Sequence, residues 1–570
     1  MALGRAHSQR FRQPLRGGWP FPPGSPDLGC KMSMSSASIE QVTADSWRKP
    51  TLRHLLEETD RFLLAVELVT SRGVISDLAG QRVLSHALAL AESDRIDVLS
   101  ITDNPAGNAM LAADTLGADL RAHGQEVIIH LACKDGNRNS LQSRAWKLAS
   151  EGFDNILALT GDYPKPGYGG MARPSFDIDS VGLLAMYSEM NRGLLDEATG
   201  HRLKPTNFFL GAVVTNHKRH ERELVPQYLK LRKKIETGAR FIINQAGYDA
   251  RKDDELLRWL ALSGLSVPVI ANVFVLSLGA ARAFNAGRVP GVVVSDELVA
   301  LAERHAGSPD RGRSFFLDLA AKQVAIVRGL GFRGAYLGGM LDLADCEEIL
   351  ARADKFGPDG WKALAGDVNF AYSDEFYYFE RDETTGLSSS EVNGAFVASR
   401  TAAARRRARL RTPVNYRASR LAHWAVFDPE APLFGVARRF YSAVESAPVS
   451  ARKVLHLAEH ASKVPLYNCK DCGDCSLPEI AYLCPESQCA KNQRNGPCGG
   501  SHDGLCEVAD RECIWARAYE RLKPYGEEAS MLEGPVVFND NALRGTSAWA
   551  NTFLGRDHQA RSAAGQEDVK

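Results

Sequence analysis

From residue 60 to residue 340 the chain alternates short runs of β-branched and apolar residues with longer stretches whose apolar positions recur at helical spacing. The short runs are FLLAVELV from Phe62, IDVLSIT from Ile96, EVIIHLA from Glu126, NILALT from Asn155, NFFLGAVV from Asn207, RFIINQ from Arg240, VPVIANV from Val267 and GAYLGG from Gly334. Each reads as a strand, and the intervening stretches, such as LVPQYLKLRKKIETGA, read as helices. Strand and helix alternating in this way predict the α/β class and a (β/α)8 TIM barrel. An open doubly wound sheet is the competing arrangement. It calls for Gly-x-Gly-x-x-Gly after its first strand, where this chain reads LVTSRGVIS.

A barrel of this kind carries its chemistry at the C-terminal ends of its strands. That rule singles out Glu67 at the end of the first run, Thr102 and Asp103 after the second, and His130 and Lys134 at the third. Asp162 follows the fourth, His217 the fifth and Gln245 the sixth. Each has an ordinary explanation: a solvent-facing strand end for Glu67 and Gln245, turn chemistry for Asp162 in LTGDYPKPGYGG, a hydrogen-bonded core position for either histidine. Their joint placement on one rim makes them candidates.

Eight of the eleven cysteines fall in one short C-terminal stretch: Cys469, Cys472, Cys475, Cys484, Cys489, Cys498, Cys506 and Cys513. Convergent thiolates at such density are what a metal or iron–sulfur centre requires. A disulfide framework would need an oxidising compartment, and the chain shows no signal-peptide pattern and no apolar run approaching the roughly 18 residues of a membrane span. The opening Cys-x2-Cys-x2-Cys favours an iron–sulfur cluster over zinc, whose cysteines usually come in pairs from separate loops; both remain open.

Lysine plus arginine equal aspartate plus glutamate at 69 each, so no global attraction to nucleic acid or anionic membrane exists and small molecules are the expected partners. With 570 residues the chain exceeds a single core. We expect a disordered leader at 1–45, a barrel at 50–355, a connecting region at 356–415, a cysteine-rich module at 416–530 and a flexible polar tail at 531–570. The leader is arginine-rich without an amphipathic pattern, so Met32 or Met34 is a candidate start. The basic run Arg405, Arg406, Arg407 and Arg409 reads as a solvated helix face or linker.

The segments HLACKDGNRNSLQSRAWKLASEGFDNILALTGDYP and KKIETGARFIINQAGYD resemble those of the methylenetetrahydrofolate reductases, flavin-bearing (β/α)8 barrels of one-carbon metabolism and methionine biosynthesis. The resemblance covers roughly residues 50–355. ELVTSRG and ITDNPAGN look like a branch found with one-carbon assimilation or demethylation systems, and NGPCGGSHDGLCEV with CIWARAYERLK resembles a C-terminal module of that branch. The resemblance implies a cytoplasmic, homo-oligomeric flavoenzyme that interconverts 5,10-methylenetetrahydrofolate and 5-methyltetrahydrofolate, with NAD(P)H or a redox protein as electron partner. It implies that Glu67 is the general acid and that Asp162 sits by flavin and pterin as a catalytic residue. By the same resemblance Thr102, His130, Thr160, Gly161, Asp162, His217 and Lys234 contact the flavin, and Gln245 binds the pterin. The cofactor is then FAD, with FMN as the alternative, beside an iron–sulfur cluster or zinc on the eight cysteines.

Three departures bear on cofactor and donor. Thr160 stands where many relatives carry arginine, ELVTSRG lacks a proline pair after the acid, and GAYLGG replaces a histidine-containing segment. The alternative function is a non-catalytic scaffold that binds a pterin or a corrinoid partner and docks through a metal-stabilised module.

Overall fold

The computed structural model describes residues 49–560 apart from Glu197. The described residues fall within one compact unit. The leader expected at 1–45 lies outside the described residues.

All eight apolar runs form strands: β1 (Leu63–Leu68), β2 (Val98–Ile101), β3 (Glu126–Ala132), β4 (Asn155–Leu159), β5 (Phe209–Val214), β6 (Phe241–Asn244), β7 (Val269–Phe274) and β8 (Gly334–Gly338). Every pairing between neighbours is parallel, and β8 returns to pair with β1, closing the barrel expected from the pattern. Register decides which residues point inward. Leu63, Ala65, Val98, Ile128, Leu157, Phe209, Phe241, Ile243, Ile270 and Tyr336 fill the barrel interior as one buried cluster. Leu52, Leu55 and Leu56 of the short helix Leu52–Glu57 join it and close the bottom. Space there is tight: a side chain at Gly211 on β5 would meet the Phe241 ring at 2.2 Å.

The outer layer departs from one helix per strand after β7, where Leu278–Asn285, Asp296–Ala306 and Arg313–Leu330 precede β8. Helix Glu221–Thr237, which follows β5, turns Val225 away from the barrel into a second buried cluster with Phe396, Tyr416, Ile480, Trp515 and Tyr519. The C-terminal module therefore has an apolar core of its own, built partly on a barrel helix. Few apolar residues lie between Tyr467 and Cys513, so the sequence there suggests strong dependence on metal; the core takes Ile480, Ala481 and Leu483 from that stretch and the rest from residues on either side of it. Among the described residues no helix is long and apolar enough to cross a membrane.

The described part of the C-terminal tail is packed. Phe553 is 3% exposed and stacks on Phe427 and Tyr441 with ring centroids 5.3 and 5.4 Å apart. Asn551 donates to Gly473 O, and His558 is buried with its ring nitrogens 2.6 Å from Asp474 and 3.1 Å from Glu479. A flexible tail beginning at residue 531 does not describe these residues: one buried aromatic and one buried imidazole tether a polar segment that composition alone would leave loose. Phe553→Ala should therefore lower stability by about 3–5 kcal/mol in chemical denaturation, the usual cost of emptying an aromatic site. A surface tail would give no change.

Candidate active site

A cavity of about 260 Å³ opens at the C-terminal ends of the strands. β1 places Glu67 there, the turn after β2 places Thr102 and Asp103, β3 places His130, the turn after β4 places Thr160, Gly161 and Asp162, and the end of β6 places Gln245. Glu67 faces Ser100 across the β1–β2 pairing, because both lie on the inward parity of their strands.

Hydrogen bonds tie these groups into two short chains. Tyr336 on β8 donates its hydroxyl to Glu67 Oε2 at 2.9 Å, while Ser100 Oγ lies 2.8 Å from His130 Nε2. Burial raises the Glu67 pKa, and the Tyr336 hydrogen bond only partly opposes it, so Glu67 keeps its proton to higher pH than an exposed glutamate. Burial also pushes His130 down to about 3, which leaves a neutral imidazole at physiological pH. Asp162 Oδ2 accepts from Ala106 N at 2.7 Å. That contact fastens the turn after β4 to the loop after β2, where Asn104 and Ala106 hold φ of 47° and 53°. Asn272 on β7 leaves its buried Oδ1 without a partner among the described residues while lining the same cavity, an acceptor suited to an N–H of a bound heterocycle.

Of the residues expected at the site, Glu67, Thr102, His130, Thr160, Gly161, Asp162 and Gln245 line this cavity. His217 and Lys234 do not. His217 packs on Gly247 with Nε2 3.3 Å from Asp253, and Lys234 donates to Val213 O at 2.6 Å. Both are buried behind the strand ends, His217 in the loop after β5 and Lys234 on the side of the following helix that faces β5. Lys134 pairs with Asp135 at 2.5 Å. Two lining groups, Asn272 and Tyr336, and the His130 partner Ser100 escaped the sequence reading, although all three sit within strands that were identified. Alternation along the strand would have marked Ser100 and Tyr336 as inward.

The largest omission comes from far along the chain. Lys491, Cys498, Gly499, Gly500 and Glu507 line the cavity alongside the barrel residues. Buried lysines of the barrel hold this segment: Lys218 donates to Gly499 O at 2.6 Å and to Ser501 O, and Lys230 donates to Gly496 O and Pro497 O at 3.0 Å each. Thr160 donates to Gln493 Oε1 at 3.2 Å. Gly499 has φ of +93°, and a side chain on it would strike Thr215 Oγ1 at 2.5 Å, so the close approach needs glycine. Barrel and module thus share one chamber.

The eight cysteines of the module sort into two quartets. Cys469, Cys472, Cys475 and Cys484 line one small enclosed space. Cys489 lies within electrostatic reach of Cys498, Cys506 and Cys513. Among the described residues no three such side chains close in far enough to grip a single ion. Backbone N–H groups of Asp471 and Gln493 donate to Cys469 and Cys489 sulfurs at 3.4 Å each. Burial pushes the Cys475 thiol up to about 12 and Cys513 up to about 11, so a bound cation would have to displace their protons.

Two family descriptions match the chain: methylenetetrahydrofolate reductase over residues 54–327 and the C-terminal part of methylenetetrahydrofolate reductase over residues 449–541. No curated protein matches significantly. Among solved structures, an uncharacterized protein from Clostridium thermocellum that binds two copies of 5-methyl-5,6,7,8-tetrahydrofolic acid is 13% identical, with a TM-score of 0.37, over 52% of this chain and 95% of that one. EDTA monooxygenase from Chelativorans sp. BNC1 is 13% identical, with a TM-score of 0.31, over 59% of this chain and 100% of that one.

Lys230 tests the union of barrel and module. Lys230→Met would strand the carbonyls of Gly496 and Pro497 in a buried site, and we expect a loss of about 3 kcal/mol in unfolding free energy together with faster proteolysis within residues 490–510. Wild-type resistance in that variant would mean that the segment is held elsewhere.

Proposed function

The chain belongs to the methylenetetrahydrofolate reductase family and carries that family's C-terminal module, and from this premise we propose that it interconverts 5,10-methylenetetrahydrofolate and 5-methyltetrahydrofolate with the help of a bound flavin. The observation that carries the proposal is a half-buried glutamate whose pKa is raised, lining one cavity at the barrel mouth together with an aspartate.

A flavin bound in this cavity would supply the hydride and take it back in the reverse direction. Thr102, His130, Thr160, Gly161 and Asp162 are the residues to hold it, and the unpartnered Asn272 Oδ1 fits a heterocyclic N–H on flavin or pterin. The site's lining therefore suits the group, as FAD or as the shorter FMN. Gln245 lines the opposite part of the wall and is assigned to the pterin.

The chain's own work is proton handling. Glu67, whose hold on its proton is strengthened by burial, gives that proton to a folate nitrogen as the bond from that nitrogen to the bridging carbon breaks, and the carbon is left as an iminium ready to accept hydride. Tyr336 orients the carboxyl and stabilises the carboxylate left behind. Asp162, held at the cavity wall by Ala106 N, contributes a negative charge where the iminium cation forms. His130 stays neutral and adds no competing positive charge.

We assign the quartet Cys469, Cys472, Cys475 and Cys484 to one metal centre and the quartet Cys489, Cys498, Cys506 and Cys513 to a second, as iron–sulfur clusters or zinc. Two experiments test these readings. Glu67→Gln should retain flavin and its reduction by the electron donor, while folate turnover falls roughly 100-fold or more; near-normal turnover would remove Glu67 from the mechanism. Cys484→Ser should cost about half of the iron or zinc found in anaerobically purified wild type. Cys346→Ser, which changes a buried barrel thiol outside the module, should cost none.

A further inference from the structure

The reaction chamber is rich in carboxyl groups and poor in cations. Glu67, Asp103 and Asp162 of the barrel and Glu507 of the module all line it, and Lys491 is the only lysine or arginine among the described residues that do. Reduced flavin carries an added negative charge, and the protein groups near its ring set how well that charge is tolerated. Three barrel carboxyls alone would disfavour it.

Lys491 is built into this place. Its side chain is 5% exposed, and its Nζ donates to Gly161 O at 2.8 Å and lies 2.6 Å from Glu507 Oε1. Gly161 is the residue between Thr160 and Asp162, so the ammonium group stands on the turn that forms the cavity wall after β4. Two of its three protons are directed at these oxygens, which leaves the third for whatever occupies the cavity. Glu507, 6% exposed, fixes the ammonium group from the other side. A cation at this spot is not encoded in the barrel sequence: Thr160 is uncharged, and the residue that supplies the charge lies 330 positions beyond Gly161.

We propose that Lys491, brought into the barrel mouth by the C-terminal module, is a flavin-binding cation of the reaction site that stabilises the reduced cofactor, and that Glu507 is the positioning residue that aims it. The proposal rests on the flavin assignment above. It makes the module part of the active site in a chemical sense, because the barrel by itself would line the cavity with carboxyl groups and no lysine or arginine.

The test uses the full-length protein, purified anaerobically, with the affinity for oxidised and reduced flavin and the flavin midpoint potential measured before any turnover assay. In wild type, absence of bound flavin would overturn the flavin assignment itself, independently of any variant. Given flavin, Lys491→Met should weaken binding of the reduced form about tenfold more than that of the oxidised form, equivalent to a potential lower by about 30 mV for a two-electron couple. Lys491→Arg should restore the wild-type ratio. Lys491→Gln, which keeps a donor for Gly161 O but no charge, should behave like Lys491→Met and serves if the methionine variant does not fold. A folded, uncharged variant with an unchanged ratio of affinities would overturn the proposal. Collapse of both uncharged variants would overturn it too, by making Lys491 a structural tie.

Discussion

Two buried ammonium groups at the barrel mouth, those of Lys218 and Lys230, give their protons to backbone carbonyls of residues 496–501, and the architecture of the site depends on that grip. A lysine buried to this degree costs several kcal/mol unless its protons are satisfied. Lys218 is 3% exposed and Lys230 1%, so lifting the segment away would leave two desolvated cations and their former acceptors unpaired. The glycines at 496 and 499 let the backbone come close enough for the contacts to form, since side chains there would meet Lys230 at 2.7 Å and Thr215 at 2.5 Å. Once the segment is seated, Lys491 and Glu507 have only one place to go.

The same low-dielectric surroundings favour the protonation states that the proposed chemistry needs. Burial raises Glu67 and lowers His130, so the carboxyl tends to hold a proton and the imidazole tends to lack one. Neither effect requires a special motif. It follows from placing both groups on inward positions at the top of a closed barrel, above an apolar plug that excludes water from below. Tyr336 and Ser100 then supply the hydrogen bonds that orient the two side chains.

Sharing a chamber also explains why barrel and module form a single compact unit. Val225 on a barrel helix packs among Trp515, Tyr519 and Ile480 of the module. The returning C-terminal segment adds Phe553 and His558 as further anchors on the module's far side. Metal ligation by the cysteines would reinforce a framework that already has an apolar core.

The eight strands, the closed barrel and much of the lining of one cavity were legible in the sequence, because buried parallel strands write themselves as local apolar runs and barrel chemistry sits where those runs end. Glu67, Thr102, His130, Asp162 and Gln245 needed nothing more than that rule. His217 and Lys234 were misplaced at the cavity because a position at a strand end does not say which way the side chain leaves the backbone, and Tyr336 and Asn272 were passed over for the same reason. The pairing of cysteines into quartets and the arrival of Lys491 beside Gly161 were decided only by the tertiary structure. Those contacts join residues hundreds of positions apart, or choose among eight identical thiols. No local pattern carries that information, since it arises from the packing of one core against another.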